Sequence, residues 1–420
     1  MLYSVSRNAS LTSIKDSKLY LILFILWPFL AFFTALINYD QKEARKVVYF
    51  FFIYYGLTFI IYSGGYVDAA GYALELKENA QLPFSDFFKI LGGLNSDETS
   101  VDIVEPFISF LVSRFTEKHN LLFAAYAAIF GWFYLKSINI LYGQYRTNPC
   151  WNTSIHLAFF SLILPITAIN GFRMWTAAWL FFFGAYHVIL HRDIRYFLLT
   201  LIAPLIHFSF ISVNILLLIY FLIGNRNLVY IPVAIASFIV PQYVAPFFKA
   251  ISFKLGGALQ SRFDTYSNVD YLLSRQAAME EAAWFLQLKN SLIFYYLLAT
   301  IIIIQVWFKK SMEDRASRNL LSFLILFLAF VNFGKTIPSF GARFEILLFL
   351  FATYYVFRFY LKVPDKKISF MTIAGLFPIL LHVMVAFRQG SESINAWILS
   401  PVFGMPLFNG PVSLMEIFFQ

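Results

Sequence analysis

The sequence predicts an all-α, polytopic membrane protein with about 11–13 transmembrane helices, short re-entrant or interfacial helices and one larger extracytoplasmic loop. Three observations carry this. Charged residues are only 13% of the 420 residues and hydrophobic ones 60%, about half the charge of a soluble domain. Apolar runs of spanning length recur along the chain, separated by short basic connections. Between Ser154 and Gly224 the chain is almost wholly apolar yet keeps Arg173, His207 and Ser209. A guanidinium at membrane depth is costly unless it faces a polar cavity or partner.

The first run, Leu19–Ile37, follows a polar stretch and lacks a small-residue cleavage pattern, so it reads as a span and not a signal peptide. Val47–Tyr62 and Leu121–Leu141 follow as spans. Between them lies an acidic segment, residues 63–118, carrying Asp68, Glu75, Glu78, Asp86, Asp97, Glu98, Asp102 and Glu105 against Lys77 and Lys89. Its Val104–Lys118 part, opened by Glu105-Pro106 and closed by Arg114, Glu117 and Lys118, reads as an interfacial or re-entrant helix. Ser154–Leu190 is long enough for two spans turning at Asn170-Gly171-Phe172-Arg173. Tyr196–Gly224 fits one tilted helix or two short ones meeting near Pro204-Leu205-Ile206-His207. Later spans are Leu228–Phe248, Ser291–Phe308, Leu320–Phe333, Phe344–Leu361 and Ile368–Phe387. Residues 250–289 form the larger loop, with helical, aromatic-anchored character at Met279–Leu288. Residues 388–420 are an apolar tail broken by Pro401, Pro406, Gly410 and Pro411, and the whole chain reads as one transmembrane domain.

Loop charge orients these elements. The connections holding Lys136 and Arg146, Arg192 and Arg195, Arg226, Lys309-Lys310 with Arg315 and Arg318, and Lys362 with Lys366-Lys367 are basic. Placed together in the cytoplasm, they require Tyr196–Gly224 to go out and return, which favours two short helices meeting at His207. Arg173, His207, the 250–289 loop and the Gly334–Arg343 turn then share the opposite face. The net charge of +9 is scattered through short loops instead of forming a stripe, so nucleic acid is not the expected partner. One cysteine, and histidines without ligand spacing, point to no metal site. No nucleotide-binding glycine motif is present, and no cofactor is expected.

Arg173 suits a lipid-linked phosphate, through its planar fork, or headgroup snorkelling at a helix end. His207 suits a general base, a phosphate donor or a packing histidine bonded to a carbonyl. Arg343 opens a late span, and with Lys335 in the same connection is a second cationic contact or a helix-end anchor. Asp68 is a competing base or a helix N-cap. Arg262 lies in the larger loop as a further cation or a surface charge.

These residues, taken in order, carry a resemblance. Gly65-Tyr66-Val67-Asp68 with Tyr72, then Glu105-Pro106-Phe107, Asn170-Gly171-Phe172-Arg173 with Ala177, His207-Phe208-Ser209 and Arg343 run from Val47 to Phe387. In that order the chain resembles the EpsG family of Wzy-type polysaccharide polymerases. It departs from the family at Met174, where glutamine is frequent, and in a longer, more basic N-terminus. The resemblance implies a metal-independent, multi-pass glycosyltransferase of the bacterial inner membrane. Its donor and acceptor would be undecaprenyl-diphosphate-linked oligosaccharides, joined at the extracytoplasmic face into a surface polysaccharide such as an O-antigen, capsule or exopolysaccharide. A flippase and a chain-length regulator would be its partners. On that reading Arg173 and Arg343, with Arg262, bind the diphosphate. His207 is the base and Asp68 its rival, while Tyr72, Ser209 and Lys335 contact substrate. A lipid-linked oligosaccharide flippase or exporter, or a sugar O-acyltransferase, remain alternatives.

Overall fold

A computed structural model of the chain describes residues 17–61, 68–86, 102–239, 277, 281, 283–335, 337–364, 368–402 and 410–419. Among these, helices dominate and no strand occurs beyond one isolated bridge, Asn395–Ser413. In chain order the α-helices are α1 (Ser17–Leu26), α2 (Pro28–Ile37), α3 (Lys42–Leu57), α4 (Asp68–Gln81), α5 (Val104–Ser113) and α6 (His119–Tyr145). Then come α7 (Trp151–Ile163), α8 (Phe172–His191), α9 (Arg195–Thr200), α10 (Ala203–Ile206), α11 (Phe210–Ile223) and α12 (Asn227–Ile239). The last are α13 (Trp284–Trp307), α14 (Arg315–Gly334), α15 (Pro338–Lys362), α16 (Ser369–Ser391) and α17 (Leu414–Phe419).

Among the described residues, six stretches are long and apolar enough to cross a bilayer: His119–Tyr145, Trp151–His191, Trp284–Trp307, Arg315–Gly334, Phe340–Lys362 and Ser369–Ser391. The protein is an all-α, multi-pass membrane protein. Several expected spans are shorter or broken, each for a local reason. Leu19–Ile37 breaks at Trp27, which leaves helical geometry (φ −152°, ψ 88°) as Pro28 opens the next helix. The Trp27 indole N–H donates to Leu399 O at 2.9 Å, so the C-terminal region holds this corner. The surface helix expected at Met279–Leu288 is, from Trp284 onward, the first part of α13. Most of 250–289, with Arg262, and the Gly65-Tyr66-Val67 part of the motif lie outside the described residues.

Side-chain contacts fix the helix directions. Asn120 Nδ2 donates to Leu57 O at 2.9 Å and Tyr142 OH to Asp40 Oδ1 at 2.9 Å, so α3 and α6 are antiparallel. Tyr145 and Ser154 share a hydrogen bond at 3.2 Å, and Tyr134 OH donates to Ser161 O at 2.9 Å, which makes α7 antiparallel to α6. Tyr126 stacks on Phe172 at 4.0 Å while Gln144 donates to Tyr186 OH at 3.1 Å, so α8 runs parallel to α6. The Trp151–His191 stretch is therefore two antiparallel helices. They turn at Leu164–Gly171, slightly before the expected Asn170–Arg173. Asn148 donates to Leu361 O at 2.9 Å and Gln144 to Tyr354 OH at 3.0 Å, aligning α15 with α6 and α8. Asn319 donates to Ile189 O at 3.0 Å, and Asp314 caps α14 while accepting from Arg358 at 2.7 Å and from Lys362.

One consequence is a cluster of basic connections. Arg146, Arg192, Arg226, Lys309, Arg315 and Lys362 all lie at one end, where α6 finishes and α7, α12 and α14 begin. At the other end are the starts of α6, α8, α13 and α15 and the finishes of α3, α14 and α16.

Candidate functional site

Between α8 and α12 the chain runs to that second end and back in short helices, α9 and α10 on one arm and α11 on the other. Arg195–Ile206 and Phe210–Ile223 are apolar and shorter than a span; α11, with 14 residues, reaches about 21 Å against a hydrocarbon core of about 30 Å. Pro204 sits in the first turn of α10, and His207 leaves it in extended backbone (φ −148°, ψ 114°). Irregular backbone at such depth needs its polar groups met by protein. The segment before α5 meets them: Ile103 N–H donates to Leu205 O at 2.9 Å, and Phe208 N–H to Asp102 Oδ1 at 2.8 Å. Tyr196–Gly224 therefore breaks at His207, as the two-segment reading expects, with α9 and α10 as its first arm and α11 as its second. Within the expected interfacial or re-entrant Val104–Lys118, the helix is only the ten residues Val104–Ser113.

Asp102 is the hub. It is buried, 5% exposed. Its Oδ2 stands 3.2 Å from Arg173 Nη1, and its Oδ1 3.8 Å from His207 Nδ1. On the far side of the imidazole, Arg343 Nη1 lies 3.4 Å from His207 Nε2. A guanidinium can only donate, so Nε2 carries the lone pair in this arrangement. Arg173, His207 and Arg343, far apart in sequence, thus form one line through Asp102.

Both arginines sit near helix N-termini. Arg173 is the second residue of α8, and Arg343 is in the second turn of α15. A cation there opposes the helix dipole, while an anion is favoured by dipole and guanidinium together. Arg173 keeps its place through Asp102 and through Tyr72, whose hydroxyl accepts from Nε at 3.3 Å and whose ring centroid is 5.5 Å from the guanidinium. Its side chain remains 29% exposed, so it can still reach a ligand. Behind Tyr72 lies an acidic pair. Glu105 is 1% exposed and accepts from Tyr126 OH at 2.5 Å. Burial first, then the Glu75 carboxylate, push Glu105 above the ordinary carboxylate range. Burial likewise raises Glu75, against the pull of Arg173.

The other expected residues fall as follows. Asp68 opens α4, is exposed, and has its Oδ2 3.8 Å from where a Gly171 Cβ would stand, which puts it beside the Arg173 turn. Ser209 precedes α11 with its Oγ buried and making no hydrogen bond among the described residues. Lys335 is taken up by Glu345 at 2.5 Å and by the Phe294 ring, 4.2 Å from its centroid. Asp102, Glu75 and Lys289 were not singled out from the sequence. No group of three or more metal-ligating side chains occurs among the described residues.

Arg343 also borders a cavity of about 510 Å³ whose lining includes Asn170, Trp175, Lys289, Asn290, His382 and Gln389. No curated protein and no solved structure matches the chain. The EpsG family model matches residues 83–397, which include Asp102, Arg173, His207 and Arg343 and leave Asp68 and Tyr72 just before them. With that match over most of its length, this all-α, polysaccharide-polymerase-like membrane protein belongs to the EpsG family.

Proposed function

We propose that the protein polymerises lipid-linked oligosaccharide repeat units into a surface polysaccharide at the extracytoplasmic face of the bacterial cytoplasmic membrane. One observation carries this: two arginines at helix N-termini flank a histidine that stands 3.8 Å from a buried aspartate, at the end of the bundle opposite the basic loops. The positive-inside rule puts those loops in the cytoplasm and the arginines outside.

The acceptor hydroxyl oxygen attacks the anomeric carbon of the donor sugar, and the bond from that carbon to the lipid diphosphate breaks. The hydroxyl proton passes to His207 Nε2, the nitrogen with the lone pair. Negative charge grows on the departing diphosphate, where Arg173, preplaced in a site of low dielectric, stabilises it. Arg343 has to leave Nε2 before the proton arrives, and the acceptor sugar, entering on that side of the imidazole, takes its place and uncovers the base. A single displacement of this kind inverts the anomeric centre. Every atom comes from the two substrates and the side chains, without a cofactor.

The test is deletion of the gene in its host, with the surface polysaccharide resolved by size. The ladder is expected to collapse to single repeat units, and to return with wild type but not with Arg173→Ala or His207→Ala. Total loss of surface glycan, with lipid-linked units held at the cytoplasmic face, overturns the proposal in favour of an exporter. An unchanged ladder overturns it outright.

A further inference from the structure

We propose that the cavity beside Arg343 is the saccharide site of the acceptor, an inference that rests on the polymerase reading above. Its volume of about 510 Å³ falls in the range of small-molecule sites, about 300–1,000 Å³. Its walls have the chemistry that a sugar ring needs. Hydroxyl groups both donate and accept, and Asn170, Asn290 and Gln389 supply carboxamides that do the same. The Asn290 Oδ1 is buried and has no hydrogen-bond partner among the described residues, so an acceptor there is left for a ligand. Trp175 offers an aromatic surface against which the C–H face of a pyranose packs. Lys289 donates to Gln389 Oε1 at 2.9 Å, which orients that carboxamide at the rim.

Position assigns the cavity to the acceptor and not to the donor. In a displacement, the attacking oxygen and the leaving phosphate lie on opposite sides of the anomeric carbon. His207 separates two sides in the same way. Its Nδ1 faces Asp102 and Arg173, while its Nε2 faces Arg343, which lines the cavity. The proton is therefore collected from the cavity side, and the hydroxyl that gives it up belongs to the sugar held there. The turn at 164–171 closes this space against α16, where a Cβ on Gly390 would come within 2.7 Å of Thr167 Oγ1.

The experiment uses the full-length protein in detergent. The probe is the free oligosaccharide released by mild acid from the host's own lipid-linked repeat units, detected by saturation-transfer NMR. Wild type is expected to bind it saturably. Asn290→Ala and the conservative Trp175→Phe, checked for unchanged size-exclusion profiles, are expected to weaken binding about tenfold each. Both are also expected to raise the concentration of acceptor needed for half-maximal elongation. His207→Ala is expected to keep binding while losing elongation. No saturable binding to wild type, or equal binding by both cavity variants, overturns the acceptor site even if the ladder assay upholds the polymerase. Binding that depends on Trp175 and Asn290, in a protein that lengthens no chain, leaves a sugar site standing and removes the polymerase reading and the acceptor role together.

Discussion

Asp102 joins three parts of the chain, and its removal separates their contributions. Asp102→Asn keeps an oxygen for the Phe208 N–H, now 2.8 Å away, but takes the charge from Arg173, 3.2 Å away. Asp102→Ala removes both. Breaking a buried ion pair by deleting one partner is worth about 3–5 kcal/mol. The Arg173 side chain is 29% exposed, so water shares the load and the expected loss for Asn is about 2 kcal/mol. Alanine adds the Phe208 N–H left without its acceptor, about 1–3 kcal/mol more. If the lost charge misplaces Arg173 in the transition state, the same 2 kcal/mol lowers elongation about 30-fold. The assay pairs thermal unfolding in detergent with the elongation rate on purified lipid-linked units, for Asp102→Asn, Asp102→Ala, Arg173→Ala and the double Asp102→Ala/Arg173→Ala. The double variant is expected to lose less than the sum of its singles, because no buried charge is then stranded. Additive losses, or a wild-type rate for Asp102→Asn, refute the hub.

Three further outcomes follow from the packing and the charge distribution. Glu105 has its folded pKa raised, by burial first and then by Glu75. Its stabilising contribution is therefore full below the unfolded value of about 4.3 and is lost as pH rises through the folded pKa. The melting temperature should fall from acid to alkaline pH, and Glu105→Gln, which imitates the protonated acid, should flatten that slope; equal slopes in melts across pH refute this. Gly56→Ala would set a Cβ 2.3 Å from the Phe123 carbonyl oxygen, a backbone atom that cannot swing away. Overpacking of about 1–3 kcal/mol is expected in unfolding experiments, whereas Gly143→Ala, inside a helix with nothing within 4 Å, should stabilise by about 0.4–1 kcal/mol. Finally Cys150, the one cysteine of the chain, sits half-buried at the basic end. A membrane-impermeant maleimide should label it in inverted vesicles and not in intact cells, and the reverse should hold for exposed Glu117→Cys in a Cys150→Ser background. The opposite pattern reverses the proposed orientation.

What could be read from the sequence divides along a physical line. Helix existence was legible because apolar runs of spanning length declare themselves. So was the grouping of Arg173, His207 and Arg343, because basic loops sort one end of a bundle from the other. Helix integrity was less so. Trp27-Pro28 breaks an apolar run that hydropathy alone reads as continuous, and only the Leu399 carbonyl brought back from the C-terminus shows what holds the corner. The hub was the least legible. Asp102 stands in the sequence as one of several acids in a hydrophilic loop, where the ordinary fate of a carboxylate is solvent. Its burial becomes favourable only once α10 breaks before His207 and turns the Phe208 N–H toward it, and once α8 brings Arg173 to the same point. That is a tertiary event with no local signature. Lys289 and Asn290 share the reason: they look like the polar end of a surface loop, yet α13 begins at Trp284 and draws both into the cavity wall. Cations in apolar runs mark where a membrane site is, because the membrane makes them costly. The acids and amides that complete such a site come from segments that look like ordinary loops, and only the folded arrangement shows which of them are used.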